Sequence, residues 1–141
     1  MRLEIGAIVL VTSVAAALAG ADGPAKRKEA QLGQDFRLKV GESARVDKGA
    51  LRIAFEAVTS DSRCAKGEQC IVAGKATLRL SLQRSSRAQE ECLLETPTAE
   101  SEPVSCSGYG VTLVGLDPYP VAGHAIAPRD YEATLKVTKG E

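Results

Sequence analysis

The sequence predicts an all-β fold, an antiparallel β-sandwich of seven or eight strands, and three observations support this prediction. Apolar and polar residues alternate with a period of two along most of the chain after residue 35. Turn-forming residues interrupt the alternation about every ten residues, which is the spacing that two packed antiparallel sheets need. Beyond residue 21, the chain shows no 3.6-residue apolar period of the kind that an amphipathic helix has.

Each predicted strand depends on its own alternating residues. The alternating segments are 36–40, 44–46, 51–58, 75–83, 92–96, 104–106, 111–116 and 131–138. The segment 75–83 is the clearest, because its apolar residues from Ala76 to Leu82 share one face of an extended chain. Gly108-Tyr109-Gly110 predicts a bulge or a bend within a strand. Together the segments predict an immunoglobulin-like sandwich, with a small closed barrel as the alternative.

Residues 1–21 have the features of a cleaved export signal. Arg2 makes the leading end positive, residues 5–19 carry no charge, and Ala17-Leu18-Ala19 fits the small-residue rule for signal peptidase. A membrane-spanning helix needs about 20 apolar residues, so no transmembrane anchor is expected after cleavage. The predicted organisation is therefore a signal peptide at 1–21, a polar linker at 22–34 and a single β-sandwich domain at 35–141.

Charge and composition argue against several classes of function. The 141 residues include 18 Lys and Arg against 18 Asp and Glu, so nucleic acid and anionic membranes are not expected partners. His124 is the only imidazole, and no G-x-S-x-G motif surrounds a serine. The chain also lacks a D-x-D-x-D-G calcium loop. We therefore expect a protein that is not an enzyme and that binds no cofactor or metal.

The four cysteines all follow the predicted signal peptide and are expected to form two disulfides in an exported protein. We predict a Cys64–Cys70 bond that closes a short loop and a Cys92–Cys106 bond that ties two neighbouring strands. The alternative is a metal site with four thiolate ligands. Its usual signature is two close C-x2-C pairs, which this chain does not have.

Three short motifs resemble those of a functionally uncharacterised family of small exported bacterial proteins. Asp61-Ser62-Arg63-Cys64 with Cys70-Ile71-Val72-Ala73-Gly74 is similar to the family's D-S-R-C-P and C-x-W-A-G, with Ala65 in place of proline and Val72 in place of tryptophan. The segment 116–120 matches a late L-x-P-Y-P loop, and Asp130-Tyr131 matches the start of the family's final strand. The resemblance covers about residues 36–138. It implies export and a disulfide-pinned β-domain, and it implies no activity.

The first motif also has a physical interpretation. Asp61 can accept backbone N–H groups in an Asx turn, and Arg63 can brace the loop through Asp61 or a neighbouring carbonyl. The loop is then either a structural connection between strands or a rigid binding surface. In the second case the candidate binding residues are Arg63, Lys66, Glu68, Gln69, Tyr119 and His124.

The expected function is that of an exported, non-enzymatic binding or interaction module, located in the periplasm or outside the cell. Its partner is expected to be an extracytoplasmic protein or a small ligand. Two alternatives come from other classes. One is a secreted inhibitor of a protease or other hydrolase that uses the 64–70 loop, and the other is a structural component of the cell envelope. No oligomeric state is predicted.

Overall fold

The structure, a computed structural model, describes residues 27–96 and 102–140. The predicted signal peptide and the first part of the predicted linker lie outside the described residues. Within them the chain is almost entirely β-structure, with a single 3-10 helix at Pro128–Asp130. In this part of the chain no helix is long and apolar enough to cross a bilayer.

The described residues form strands at nearly every position that the alternation indicates, and at one position that it does not. The strands are β1 (Arg27–Glu29), β2 (Asp35–Lys39), β3 (Ser43–Val46), β4 (Leu51–Asp61), β5 (Ala76–Arg84), β6 (Glu90–Glu95), β7 (Val104–Cys106), β8 (Tyr109–Asp117) and β9 (Glu132–Lys139). Strand β1 lies within the segment predicted as a linker. All three of its residues are charged, so it has no apolar alternation that could reveal it.

The strands form two facing sheets and not a closed barrel. The first sheet has the order β1-β3-β4-β5-β6, and the second has the order β2-β9-β8-β7. Among the described strands, every pair is antiparallel except β1 with β3. The predicted all-β sandwich is therefore confirmed. It differs from a purely antiparallel sandwich by the parallel pairing of β1 with β3 at one edge of the first sheet. The runs β3 to β6 and β7 to β9 are meanders, so the order differs from the ABED and CFG sheets of an immunoglobulin constant domain.

The core lies between the two sheets and consists mainly of aliphatic side chains. In β4, Leu51, Ile53 and Phe55 are fully buried, whereas Arg52 and Glu56 on the opposite face are exposed. The same period buries Leu78, Leu80 and Leu82 in β5, and Ala133, Leu135 and Val137 in β9. Full burial of one such Leu or Phe side chain contributes about 1.5–3 kcal/mol, so this alternation is the main source of stability.

Both predicted disulfides form in the structure. Cys92 lies on β6 at one edge of the first sheet, and Cys106 lies on β7 at one edge of the second. The predicted link between neighbouring strands therefore crosses from one sheet to the other. Both cysteines are buried, with a Cα–Cα distance of 6.3 Å, so the bond closes one side of the sandwich.

The prediction of a bulge or bend within a strand at Gly108-Tyr109-Gly110 is wrong. Ser107 (φ 49°) and Gly108 (φ 78°) are the central residues of a tight turn between β7 and β8. Two successive residues with positive φ are typical of a type I′ hairpin turn. Glu90 fixes this turn, because its carboxylate accepts hydrogen bonds from the Ser107 N–H (2.9 Å) and hydroxyl (2.8 Å).

Candidate functional site

The longest described connections lie at one end of the sandwich. We call this end the tip. It consists of the tip loop, residues 62–75 between β4 and β5, and the second loop, residues 118–127 between β8 and the 3-10 helix. Most residues of the three motifs described in the sequence lie in these loops or at the strand ends beside them. The tip is therefore where a candidate site has to be sought.

A partly buried ion pair lies at the start of the tip loop. Asp61 ends β4, and its Oδ1 accepts hydrogen bonds from the backbone N–H (3.2 Å) and the Nε (2.9 Å) of Arg63. Its Oδ2 accepts a third from Arg63 Nη2 at 2.7 Å. The two side chains are only 12% and 7% exposed, respectively. The predicted Asx turn and the predicted brace between Arg63 and Asp61 are both confirmed.

Arg63 also joins the tip loop to the end of β8. Its Nη1 donates to the Leu116 carbonyl (2.8 Å), and its Nη2 donates to the Pro118 carbonyl (3.0 Å). Tyr131, the residue before β9, donates from its hydroxyl to Asp61 Oδ2 at 3.0 Å. One guanidinium and one carboxylate thus connect three separate parts of the chain. The three motifs of the sequence meet at this single cluster.

The electrostatics of the cluster favour a structural role for Asp61. Hydrogen bonds from Arg63 lower the pKa of Asp61, against the opposing effect of burial. Burial raises the pKa of Tyr131, and the hydrogen bond that its hydroxyl makes to Asp61 raises it further. Asp61 is therefore a carboxylate and Tyr131 a neutral phenol at neutral pH. A carboxylate with a lowered pKa is poorly suited to general acid–base chemistry near pH 7.

The second loop is bonded along its length to the tip loop. The Tyr119 hydroxyl donates to the Cys64 carbonyl (2.7 Å), and the Lys66 N–H donates to the Pro120 carbonyl (2.9 Å). The Ala122 N–H in turn donates to the Lys66 carbonyl at 3.0 Å. The Tyr119 ring also faces two cations, with its centroid 5.3 Å from Arg63 Cζ and 5.8 Å from Lys66 Nζ. These contacts hold the two loops together as one unit.

Two further features fix the conformation of the tip loop. The Cys64–Cys70 disulfide closes its outer part, with a Cα–Cα distance of 6.0 Å. At the base of the loop, Ser62 and Lys75 exchange backbone and side-chain hydrogen bonds of 2.9–3.1 Å. Gly74 lies so close to Ser62 that a Cβ atom there would overlap the Ser62 carbonyl. The glycine is therefore required by the close approach of two backbone segments.

The tip exposes apolar side chains to solvent. Ile71 is fully exposed, and Val72 is 76% exposed. Tyr119 and Val121 on the second loop are 44% and 43% exposed. Sequence reasoning missed Ile71 and Val72 as site residues. The sequence does contain a signal for them, because they are two apolar residues in a polar segment that does not alternate. The pattern therefore gives no reason to expect them in the core, and exposed apolar residues often mark a contact surface.

The predicted binding residues lie in different environments. Arg63 is directed inward and braces the loops, so it is not a surface contact residue. Lys66 is exposed, although its backbone N–H and carbonyl are both bonded to the second loop. Glu68 and Gln69 are exposed on the disulfide-closed loop, and Tyr119 lies between the loops.

His124 is exposed on the second loop, and its backbone N–H donates to the Val121 carbonyl at 3.0 Å. The structure therefore brings Arg63, Lys66 and Tyr119 together directly, through the contacts of the Tyr119 ring. Among the described residues, no group of three or more His, Cys, Asp or Glu side chains is arranged to hold a metal ion.

The chain matches no protein-family model, and neither the curated proteins nor the solved structures contain a match to it.

Proposed function

We propose that this protein is an exported, non-enzymatic binding module that contacts its partner through the tip. The observation that carries the proposal is the exposure of Ile71 and Val72 on a loop that a disulfide and a partly buried ion pair hold in place. Exposed aliphatic side chains on a fixed loop lose little conformational entropy on binding, so more of their burial energy remains as affinity. The partner is an extracytoplasmic protein or a small ligand with an apolar surface.

The proposed export agrees with the cysteine chemistry. Both disulfides join residues that the fold places close together, and such bonds persist in oxidising compartments. The apolar segment at residues 5–19 supplies the export signal in this proposal. The periplasm and the extracellular medium are the compartments where this combination is expected.

The experiment compares three forms of the protein as bait in an extract of the compartment to which it is exported. The forms are the wild type, the Ile71→Asp/Val72→Asp variant, and Leu93→Asp as a matched control. Leu93 is 53% exposed on β6, outside the two tip loops, so the control adds a charge at an exposed apolar position that belongs to neither loop.

We expect the wild type and the Leu93→Asp control to capture the same partner, and the tip variant to bind it at least about tenfold more weakly. The physical reason is that the two aspartates would have to be desolvated in an apolar contact. Equal capture by the tip variant would contradict the proposal.

A secreted hydrolase inhibitor is the second candidate, because the disulfide-closed 64–70 loop exposes Glu68 and Gln69. The hydrogen bonds of the Lys66 backbone argue against inhibition by this loop. The Lys66 N–H and carbonyl both bond to the second loop, so they are not free to pair with an enzyme in an extended conformation. Assays of serine, cysteine and metalloproteases with added protein distinguish the two functions, because a binding module without inhibitory activity leaves their rates unchanged.

A further inference from the structure

The end of the sandwich opposite the tip carries a second cluster of arginine, aspartate and tyrosine. The Tyr109 hydroxyl at the start of β8 donates to Asp47 Oδ2 at 2.8 Å. Arg84, the last residue of β5, lies over the Tyr109 ring with its Cζ 5.5 Å from the ring centroid. Lys139, the last residue of β9, has its Nζ 3.8 Å from Asp47 Oδ2. The cluster therefore joins the two sheets at this end.

The two clusters differ in how their arginines are used. Arg63 donates hydrogen bonds to both oxygens of Asp61 and to two backbone carbonyls. Among the described residues, the Arg84 guanidinium donates no hydrogen bond and has no carboxylate within ion-pair distance. It makes a cation–π contact with the Tyr109 ring. A guanidinium is always charged and has five donors in a planar fork, which suits the oxygens of a carboxylate or phosphate.

The surroundings of Arg84 leave room for such a group. An open depression of about 470 Å³ lies at this end of the sandwich, and its lining includes Arg84, Ser85, Tyr109 and Lys139. Asp47 also lines the depression, but its carboxylate already contacts Tyr109 and Lys139. The lining has two cationic side chains, Arg84 and Lys139, against the one carboxylate of Asp47, and the Glu90 carboxylate lies on the neighbouring turn residue Ser107.

Gly108 makes the position of Arg84 possible. A Cβ atom at residue 108 would lie 2.9 Å from Arg84 Nη1, closer than real Cβ contacts allow. The glycine thus permits the guanidinium to lie beside the β7–β8 turn and over the Tyr109 ring. This contact limits the freedom of the Arg84 side chain before any ligand binds.

We propose that Arg84, Lys139 and Ser85 form a binding site for an oxyanion, either a phosphate group or a carboxylate group. The Arg84 fork would bind two oxygens, and the Lys139 ammonium and the Ser85 hydroxyl would supply further donors. This site is separate from the tip and does not depend on the function proposed for it.

The test is an NMR titration of the isotope-labelled protein with inorganic phosphate and, separately, with acetate, each at constant ionic strength against sodium chloride. We expect saturable shifts of the Arg84 Nε–H and of the Ser85 and Gly108 amides. Arg63 is an internal control, because its donors are already bonded, and its Nε–H should not shift. A response to phosphate alone would assign a tetrahedral ligand, and a response to both anions would assign a general oxyanion site.

Two variants complete the test. Arg84→Met keeps an unbranched side chain on the Tyr109 ring and should weaken binding at least about tenfold, since it removes charge-assisted hydrogen bonds. Arg87→Met is the matched control, because Arg87 is an exposed cation just after the same strand; it should bind as the wild type does. Shifts that match those in chloride, or equal affinity in Arg84→Met, would overturn the proposal.

Discussion

At the scale of single residues, the ion pair between Asp61 and Arg63 determines how the tip is held. Burying two charges costs several kcal/mol, and here that cost is offset by multiple hydrogen bonds to both partners. Removal of one partner would leave the other charge buried without compensation, which is more costly than the net value of the pair. The pair is thus important for the conformation of the loops as well as for stability.

The lowered pKa of Asp61 predicts a specific dependence of stability on pH. A carboxyl group whose pKa is lower in the folded state adds stability above its unfolded pKa of about 4 and loses it as the pH falls through the folded pKa. We therefore expect Asp61→Asn to lower the free energy of unfolding by about 3 kcal/mol at pH 7. At pH 2 the difference from the wild type should be clearly smaller. Urea denaturation across this pH range measures both values.

Glu95→Gln is the control for this experiment. Glu95 pairs with Lys75 at 2.7 Å, but both side chains are more than half exposed, so the loss should be at most about 0.5 kcal/mol. The pKa of Glu42 is also lowered, chiefly by the hydrogen bond from the Lys39 N–H. The stability of the Asp61→Asn variant should therefore still fall at acid pH, although by less than that of the wild type. A constant difference between Asp61→Asn and the wild type from pH 7 to pH 2 would contradict this account of Asp61.

At the scale of elements, the base of the tip loop depends on the contact between Gly74 and Ser62. Alanine at residue 74 would place its Cβ atom against a backbone carbonyl, so the two segments would have to separate. We expect Gly74→Ala to lower the free energy of unfolding by about 1–3 kcal/mol, as overpacking usually does. Thermal and urea denaturation measure the loss.

Gly115→Ala is the matched control, because a Cβ atom on Gly115 in β8 would meet no other atom within 4 Å, and the residue has no positive φ. Its effect should stay within about 0.5 kcal/mol. Equal stability of Gly74→Ala and Gly115→Ala would show that the tip loop is not closed at Ser62.

Alternation predicts most of the elements, because each buried face leaves a period of two in the sequence. Phe36 and Leu38 identify β2, and Tyr131, Ala133, Leu135 and Val137 identify β9, but they do not show that β2 and β9 pair. Pairing across about a hundred residues leaves no local signal. Strand β1 escapes prediction because all three of its residues are charged, so its sequence has no apolar alternation.

The candidate site was predictable only where its contacts are local. Asp61 and Arg63 are two residues apart, so turn chemistry is enough to predict their contact. Tyr131 reaches Asp61 across 70 residues of sequence, and only the fold brings the two together. Ile71 and Val72 have a weak signal, an apolar pair outside any alternating segment, and it is easily overlooked because apolar residues in a β-protein are usually expected in the core.

At the scale of the whole molecule, the two ends of the sandwich present different chemistry. The tip exposes aliphatic side chains on two loops that are bonded to each other. The opposite end presents Arg84 and Lys139 beside an open depression. The Cys92–Cys106 bond joins the two sheets between these ends, so loops at both ends are supported by the same core.

The central claim is that the tip is the surface that contacts the partner. The most direct measurement is site-specific photo-crosslinking in cells that export the protein, with a benzophenone amino acid in place of Val72 or, as control, of Leu93. Val72 is exposed at the tip, and Leu93 is exposed on β6. We predict a discrete covalent adduct from residue 72 and none from residue 93. An adduct from residue 93 with none from residue 72 would contradict the claim.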